Sequence, residues 1–274
     1  MTLSKQDLRK LQLIQLDMLK EVDRICKKYN IKYCIIAGTI LGAVRHEGYI
    51  PWDDDADVAM LRSEYERFRQ ACEEELNREL YYFQDHNNTP GYRWGYGKLR
   101  RKDTAFIRLG QEHMPYDSGV FIDIFPLDGV PQKKINRGIH NFSCYTIRKF
   151  MWARVGCVSE KHIIKRYMFK FMNLMPEKWV FGMYAKLINI SNRGGSEYVR
   201  ILTFPTPRKR MYAYKRKWYA ELCEIEFEGY TFPAPKDWDE YLTFKFGDYM
   251  VLPPKHLQKT HPVSFYSLEV SEDR

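Results

Sequence analysis

The 274-residue sequence predicts an α/β (α+β) fold, a mixed sheet flanked by helices with a basic helical insertion. Three observations lead there. Over roughly the first half, segments with apolar residues at helical spacing are interspersed with short apolar runs of strand length. Four carboxylates crowd into five positions, Asp53, Asp54, Asp55 and Asp57, and run straight into the apolar Val58-Ala59-Met60. From Lys133 to Lys217 there are 20 Lys/Arg against 3 Asp/Glu, among many Phe, Tyr, Trp and Met.

The elements follow in order. Ser4 and Asp7 form a capping pattern that opens a long helix ending near Asn30, with Leu8, Leu11, Ile14, Met18, Val22 and Ile25 on one face. Tyr33 to Ala37 reads as a buried strand, broken at Gly38-Thr39, and Ile40 to Arg45 as a helix start. After a loop from Gly48 to Trp52, Asp55 to Leu61 reads as a strand and Ser63 to Glu79 as a helix. Leu80–Gln84, Tyr96–Arg100, Thr104–Leu109 and Val120–Phe125 are further strands. In the basic stretch, Asn141–Val155, Lys161–Met175 and Trp179–Ile190 are helical, and Arg193 to Ser196 is a loop. Glu228-Gly229 between Ile225/Phe227 and Tyr230/Phe232 predicts a hairpin, Asp237 to Phe246 a short helix, and Leu252-Pro253-Pro254 a stop. The expected organisation is a catalytic core over 1–130, a basic aromatic-rich helical region over 131–222, and a C-terminal hairpin and helix segment over 223–274.

The formal net charge is +9 and the pI about 9.1, which suits a phosphate-rich partner: nucleic acid, nucleotide or an anionic membrane. None of the six cysteines falls in a C-x-x-C pair, so zinc-ribbon and thioredoxin-like readings have no support, and the thiols read as small buried hydrophobes in a reducing compartment. Met1 to Lys10 has no signal-peptide core, and no apolar run reaches the length of a membrane span. The expected location is cytoplasmic, with the inner membrane face as a candidate peripheral contact through 133–217.

The acidic run carries the chemistry. On an extended chain, residues two apart share a face, so Asp53, Asp55 and Asp57 group together with Asp54 opposite. Like charges this close repel, burial sharpens the repulsion, and a divalent cation relieves it; hard carboxylate oxygens suit Mg²⁺ or Mn²⁺. An EF-hand alignment of Asp53, Asp55, Asp57 and Glu64 puts Val58 where a glycine is needed. Gly38-Thr39 sits where a strand meets a helix N-terminus, a place that favours phosphate, but it is neither a Walker A loop nor a G-x-G-x-x-G fingerprint. Strand, small-residue turn, helix and a strand bearing Asp-x-Asp form the pattern of the nucleotidyltransferase fold. Asp123, a lone charge inside Val120–Phe125, supplies the third acid; a buried ion pair with an arginine is its other reading.

The segment from Gly38 to Val58, GTILGAVRHEGYIPWDDDADV, resembles the signature of the LicD family. Phe121 to Gly129, FIDIFPLDG, resembles its second motif, and Tyr241-Leu242, Phe246-Gly247-Asp248-Tyr249-Met250 and Leu252-Pro253-Pro254 resemble its closing segment. The resemblance implies a nucleotidyltransferase-like fold and transfer of phosphocholine from CDP-choline to a sugar hydroxyl of a cell-surface glycan, such as teichoic acid or a lipid-linked oligosaccharide, with release of CMP. Fukutin-type relatives transfer ribitol phosphate from CDP-ribitol instead, and glycerol phosphate is a further candidate. On this reading Asp55, Asp57 and Asp123 hold Mg²⁺ or Mn²⁺, and Asp123 also has the role of accepting the acceptor's proton. Gly38 and Thr39 cradle phosphate, Arg45, His46 and Lys98 contact the diphosphate, and Trp52 and Asp53 complete substrate binding. Trp52, Tyr92, Trp94 and Tyr96 are aromatic candidates for a choline headgroup, and His261 for closing the site. The rivals are a nucleotidyltransferase acting on RNA or a small molecule, for which no RNA-binding motif is present, and a non-catalytic membrane adaptor.

Overall fold

The computed structural model describes residues 3–206 and 213–269. Residues 207–212 of the basic stretch, with Arg208, Lys209 and Arg210, and the first two residues of the N-terminus lie outside them. Helix α1 (Lys5–Lys28) starts at Ser4, whose hydroxyl accepts from the Asp7 amide at 3.0 Å, and its Leu8, Leu11, Met18, Val22 and Ile25 are buried. The same face also buries Gln12 and Gln15.

The main sheet runs β1 (Cys34–Ile35), β2 (Asp57–Leu61), β6 (Phe121–Gly129), β4 (Gly97–Arg101) and β3 (Tyr81–Gln84). Among the described strands only β2 and β6 pair in parallel, with Asp57 opposite Asp123. Between β1 and β2 lies α2 (Ala37–His46), and α3 (Arg62–Glu75) follows β2. The expected mixed sheet flanked by helices is thus present, with several boundaries moved. Gly38-Thr39 is not a turn but the first turn of α2, entered through Ala37 at φ +53°. The strand begins at Asp57, two residues later than expected, so Asp53 to Ala56 lies outside the ladder. The strand after Thr104 leaves this sheet: β5 (Ala105–Arg108) pairs antiparallel with β11 (Val263–Ser267), which the sequence did not signal.

The basic region folds as α4 (Lys134–Ser159), α5 (Ile163–Asn173) and α6 (Glu177–Asn192). Helices α4 and α6 share a small core of Cys144, Ile147, Met151, Val180, Tyr184 and Leu187. A fully buried carboxylate ties it to the sheet: Asp128 of β6 accepts from Arg62 Nε at 2.8 Å and Nη2 at 2.7 Å, and from Asn192 Nδ2 at 2.7 Å. Beyond α6, β7 (Tyr198–Arg200) pairs with the end of β6, and β8 (Tyr214–Lys215) with β7. The short α7 (Lys217–Ala220) leads into the hairpin β9 (Leu222–Phe227) and β10 (Tyr230–Pro235), which turns through Glu228 and Gly229 at φ +55° and +74°, the geometry of a two-residue hairpin loop. Helix α8 (Trp238–Phe246) follows. All six cysteines are free, and Cys26, Cys34, Cys72 and Cys144 are buried. Among the described residues no helix is long and apolar enough to cross a membrane.

Candidate active site

The acidic segment is held from below by α1. Gln12 Nε2 donates to the Asp53 carbonyl at 3.0 Å, and Gln15 Nε2 to the carbonyls of Asp54 at 3.0 Å and Phe121 at 3.1 Å. These bonds satisfy backbone that no ladder satisfies and fix the segment against the head of β6. Thr39 holds the next residue, its buried hydroxyl accepting from the Asp57 amide at 2.8 Å. Asp53, Asp55 and Asp57 consequently line one cavity. Asp54 is buried and does not line it, yet its carboxylate stays beside that of Asp55, both held by one Arg108 guanidinium, so it is not turned opposite as the alternation predicted.

That cavity has a volume of about 980 Å³ and lies over the β2/β6 junction. Asp53, Asp55, Asp57 and Asp123 line it together with Lys98, Arg108, Arg148, Lys149, Lys245 and Lys259. Burial, followed by the charges of Asp55, Asp123 and Asp53, pushes the Asp57 carboxyl well above the usual range, with Lys245 pulling the other way. Asp53 is pushed up by burial and then by the charges of Asp55 and Asp54. Carboxyls raised together by burial and by one another mark crowded negative charge. Asp123 is met across the ladder by Lys98, whose ammonium contacts its carboxylate and lies over the Phe121 ring. Burial lowers the Lys98 ammonium to about 8 against the pull of Asp123.

Asp54 anchors a second cluster. Its oxygens accept from Arg108 Nη1 at 2.9 Å and pair with His261 Nδ1 at 2.7 Å, while Arg108 Nη2 reaches Asp55 at 3.2 Å. The Asp54 bond raises the His261 imidazole above its ordinary value, against burial. The β5/β11 pair brings Arg108 and His261 here from distant parts of the chain. Among the described residues, Asp54, Asp55 and His261 offer ligand atoms all within 4.8 Å of one another, so this group could hold a metal ion. The wider donor set of carboxylate oxygens also fits a hard divalent cation, which would relieve the repulsion among them.

The remaining residues expected from the sequence are placed unevenly. Gly38 lines the cavity, where a Cβ would collide with Asp53 Oδ2, so the glycine makes room for the acidic segment. Thr39 is spent on the Asp57 amide rather than turned to the cavity. Trp52 lines the wall, with the His46 ring edge-on to it at 6.1 Å; Arg45 donates to the Tyr249 carbonyl at 2.7 Å, and neither Arg45 nor His46 lines the cavity. Trp94 and Tyr96 line it, and Tyr92 is buried against Tyr116. The sequence reading missed Asp54, Arg108 and Lys245, and also Arg148, Lys149, Trp152 and Phe204, which the helical insertion and the segment after it bring in. The one usable signal was Arg108, a charge closing the apolar run Ala105-Phe106-Ile107.

Comparison with known proteins agrees with the motifs. The family model described as LicD/FKTN/FKRP, nucleotidyltransferase domain, matches residues 30–175. The lipopolysaccharide cholinephosphotransferase LicD of Haemophilus influenzae is 28% identical over 270 residues, covering 95% of this chain and 98% of that protein. Uncharacterized proteins of Rickettsia typhi and Rickettsia prowazekii are 45% and 47% identical over 53 and 47 residues, each less than a fifth of either chain.

Proposed function

The chain belongs to the LicD/FKTN/FKRP nucleotidyltransferase-domain family, and from that premise we propose that it is a transferase moving phosphocholine from CDP-choline to a sugar hydroxyl of a cell-surface glycan. The observation that carries the reading is the in-register pair Asp57 and Asp123 on parallel strands, with Asp53 and Asp55 beside them and six cationic side chains around them in one cavity. A diphosphate needs positive charge on its oxygens, and the acids need a counter-cation; the cavity offers places for both. The relative from Haemophilus influenzae, matched over nearly its whole length, is named for choline phosphate transfer to lipopolysaccharide, which supports the same transferred group and class of acceptor here.

Asp55, Asp57 and Asp123 would hold Mg²⁺ or Mn²⁺, with Asp54 and His261 beside them. Bound there, such an ion would supply positive charge to neutralise the phosphates and the departing CMP. Lys98 and Arg108 reach the same phosphates as fixed positive charges. The acceptor hydroxyl oxygen forms a bond to the phosphorus that carries choline, and the bond from that phosphorus to the CMP oxygen breaks. The hydroxyl proton passes to a carboxylate, which we assign to Asp123, and the bonding pair leaves with CMP.

The aromatic wall supports choline as the cargo. Trp94 lies 5.6 Å from Trp152 and 6.3 Å from Tyr96, and Tyr96 lies 5.4 Å from Phe204, ring centre to ring centre. Such faces attract a quaternary ammonium. One observation favours ribitol or glycerol phosphate: the buried Thr203 hydroxyl in the same wall has no hydrogen-bond partner. The test is CMP release with Mg²⁺ from CDP-choline, CDP-ribitol and CDP-glycerol, comparing wild type with Asp57→Ala. Release from CDP-choline that the substitution abolishes is expected. Release from CDP-ribitol or CDP-glycerol alone would replace the cargo, and neither release nor Mg²⁺-dependent binding of any of the three would end the proposal.

A further inference from the structure

Helix α5 is amphipathic in the wrong sense for a helix that rests on a core. Only its Phe169 is buried, against Gly156 of α4, where a Cβ would collide with the ring. Ile164, Tyr167, Met168, Phe171 and Leu174 recur at helical spacing on the opposite side, with Ile164 71%, Phe171 77% and Leu174 78% exposed. By the 100° turn per residue, Lys165 lies along one margin of this stripe and Lys170 along the other. Helix α4 repeats the arrangement, with Ile135, Ile139, Phe142 and Tyr145 exposed along one line, and Trp179 of α6 adds an exposed indole. Exposed apolar patches of this extent mark a surface that something covers.

The charge selects what covers it. From Lys134 to Asn192 there are eleven Lys/Arg and two glutamates, so a second copy of the same face would bring like charge against like. A nucleic acid would meet the lysines but leave the isoleucines and leucine in water. A bilayer with anionic headgroups satisfies both, with aliphatic and aromatic tips at the acyl boundary and lysines among the phosphates. The stripe of α4 ends at Trp152, which lines the reaction cavity, and exposed Leu109 and Phe246 line it as well.

We propose that α4, α5 and the start of α6 form a docking surface for an anionic lipid bilayer, which sets the cavity mouth at the lipid–water boundary. The docking itself does not depend on the reaction; only the corollary, that the acceptor sugar is presented on a lipid carrier, rests on the transferase reading.

The full chain is sedimented at low salt with vesicles of phosphatidylglycerol or of phosphatidylcholine, as wild type, Ile164→Asp/Phe171→Asp and Lys165→Glu/Lys170→Glu. All four side chains are outside the cavity, and circular dichroism checks the folds. Wild type should bind phosphatidylglycerol at least about tenfold more tightly than phosphatidylcholine. The aspartate variant should lose about tenfold or more on both, and the glutamate variant should lose the preference. CMP release from CDP-choline in solution should be unchanged in both. Wild type left in the supernatant overturns the docking surface, as does retained binding in the aspartate variant, which would leave a plain polyanion site. So does a dimer that the aspartate variant dissociates while neither protein binds vesicles. Absent CMP release beside normal vesicle binding would count against the transferase reading alone.

Discussion

Asp57→Asn should make the protein more stable and inactive at once. Neighbouring strands lie about 4.8 Å apart, so the carboxylates of Asp57 and Asp123, in register and facing one cavity, are about 5–6 Å apart. At an effective dielectric constant of about 20, one such pair repels by roughly 3 kcal/mol. Asp55 and Asp53 add to this and Lys245 subtracts from it, so neutralising Asp57 should return about 2 kcal/mol, worth roughly 4–8 °C in Tm for a chain of this size. The sign follows from the raised carboxyl. The folded state holds the Asp57 proton more tightly than the unfolded state, so this group's destabilisation is present above its folded pKa and fades as pH falls. Thermal unfolding in EDTA and then in Mg²⁺ reads it out. Asp57→Asn should melt higher than wild type in EDTA, while saturating Mg²⁺, at about 100 times its Kd, should raise wild type by about 2.7 kcal/mol and the variant by clearly less. CMP release should fall by 10²-fold or more. A variant that melts below wild type in EDTA would refute the reasoning, because Asp57 would then be serving as a satisfied structural acceptor.

Asp128→Ala leaves the Arg62 guanidinium buried without its bidentate partner and frees α6 from β6, so urea unfolding should show a loss of about 3–5 kcal/mol with the cavity residues untouched. His140, buried beside Ser191, is lowered to about 4 by burial and then by Arg200. The unfolded chain therefore takes up the proton first, and stability should drop by up to about 3 kcal/mol between pH 6.5 and 4, a slope that His140→Gln should flatten. Thr39→Val strips the Asp57 amide of its acceptor and should cost about 1–3 kcal/mol in denaturant melts, with kcat falling more than KM rises. Replacing Trp94 and Trp152 by leucine should raise KM for CDP-choline about tenfold and leave turnover of CDP-ribitol, where it occurs, unchanged.

Much of the fold was legible because its signals are local. The α1 stripe, the three helices of the basic region and the Glu228-Gly229 hairpin follow from spacing and from turn chemistry. Asp53, Asp55 and Asp57 line one cavity as their spacing implied, but Asp54 is not turned opposite: one Arg108 guanidinium spans Asp54 and Asp55, and outside the ladder nothing enforces strict alternation. Thr39 was misread because a hydroxyl at a helix start looks the same whether it faces a phosphate or a neighbouring amide, and the choice depends on where β2 enters. For Asp123, expected as the third acid with an ion pair to an arginine as the other reading, the structure does show an ion pair, but to a lysine one strand away.

From the residues alone came the class of fold, the acids that carry charge into the cavity, and the family. Local periodicity, crowded carboxylates and a long motif survive in one dimension. Long-range pairing settled which strand stands beside which, and with it the countercharges. Lys98 meets Asp123 through β4, Arg108 and His261 meet Asp54 through β5 and β11, and two glutamines of α1 hold the acidic backbone. It also turned the apolar stripe of α5 outward, where periodicity alone would have turned it toward a core. A spacing pattern states that a face is apolar, but what that face meets is settled by the surface the rest of the chain leaves open.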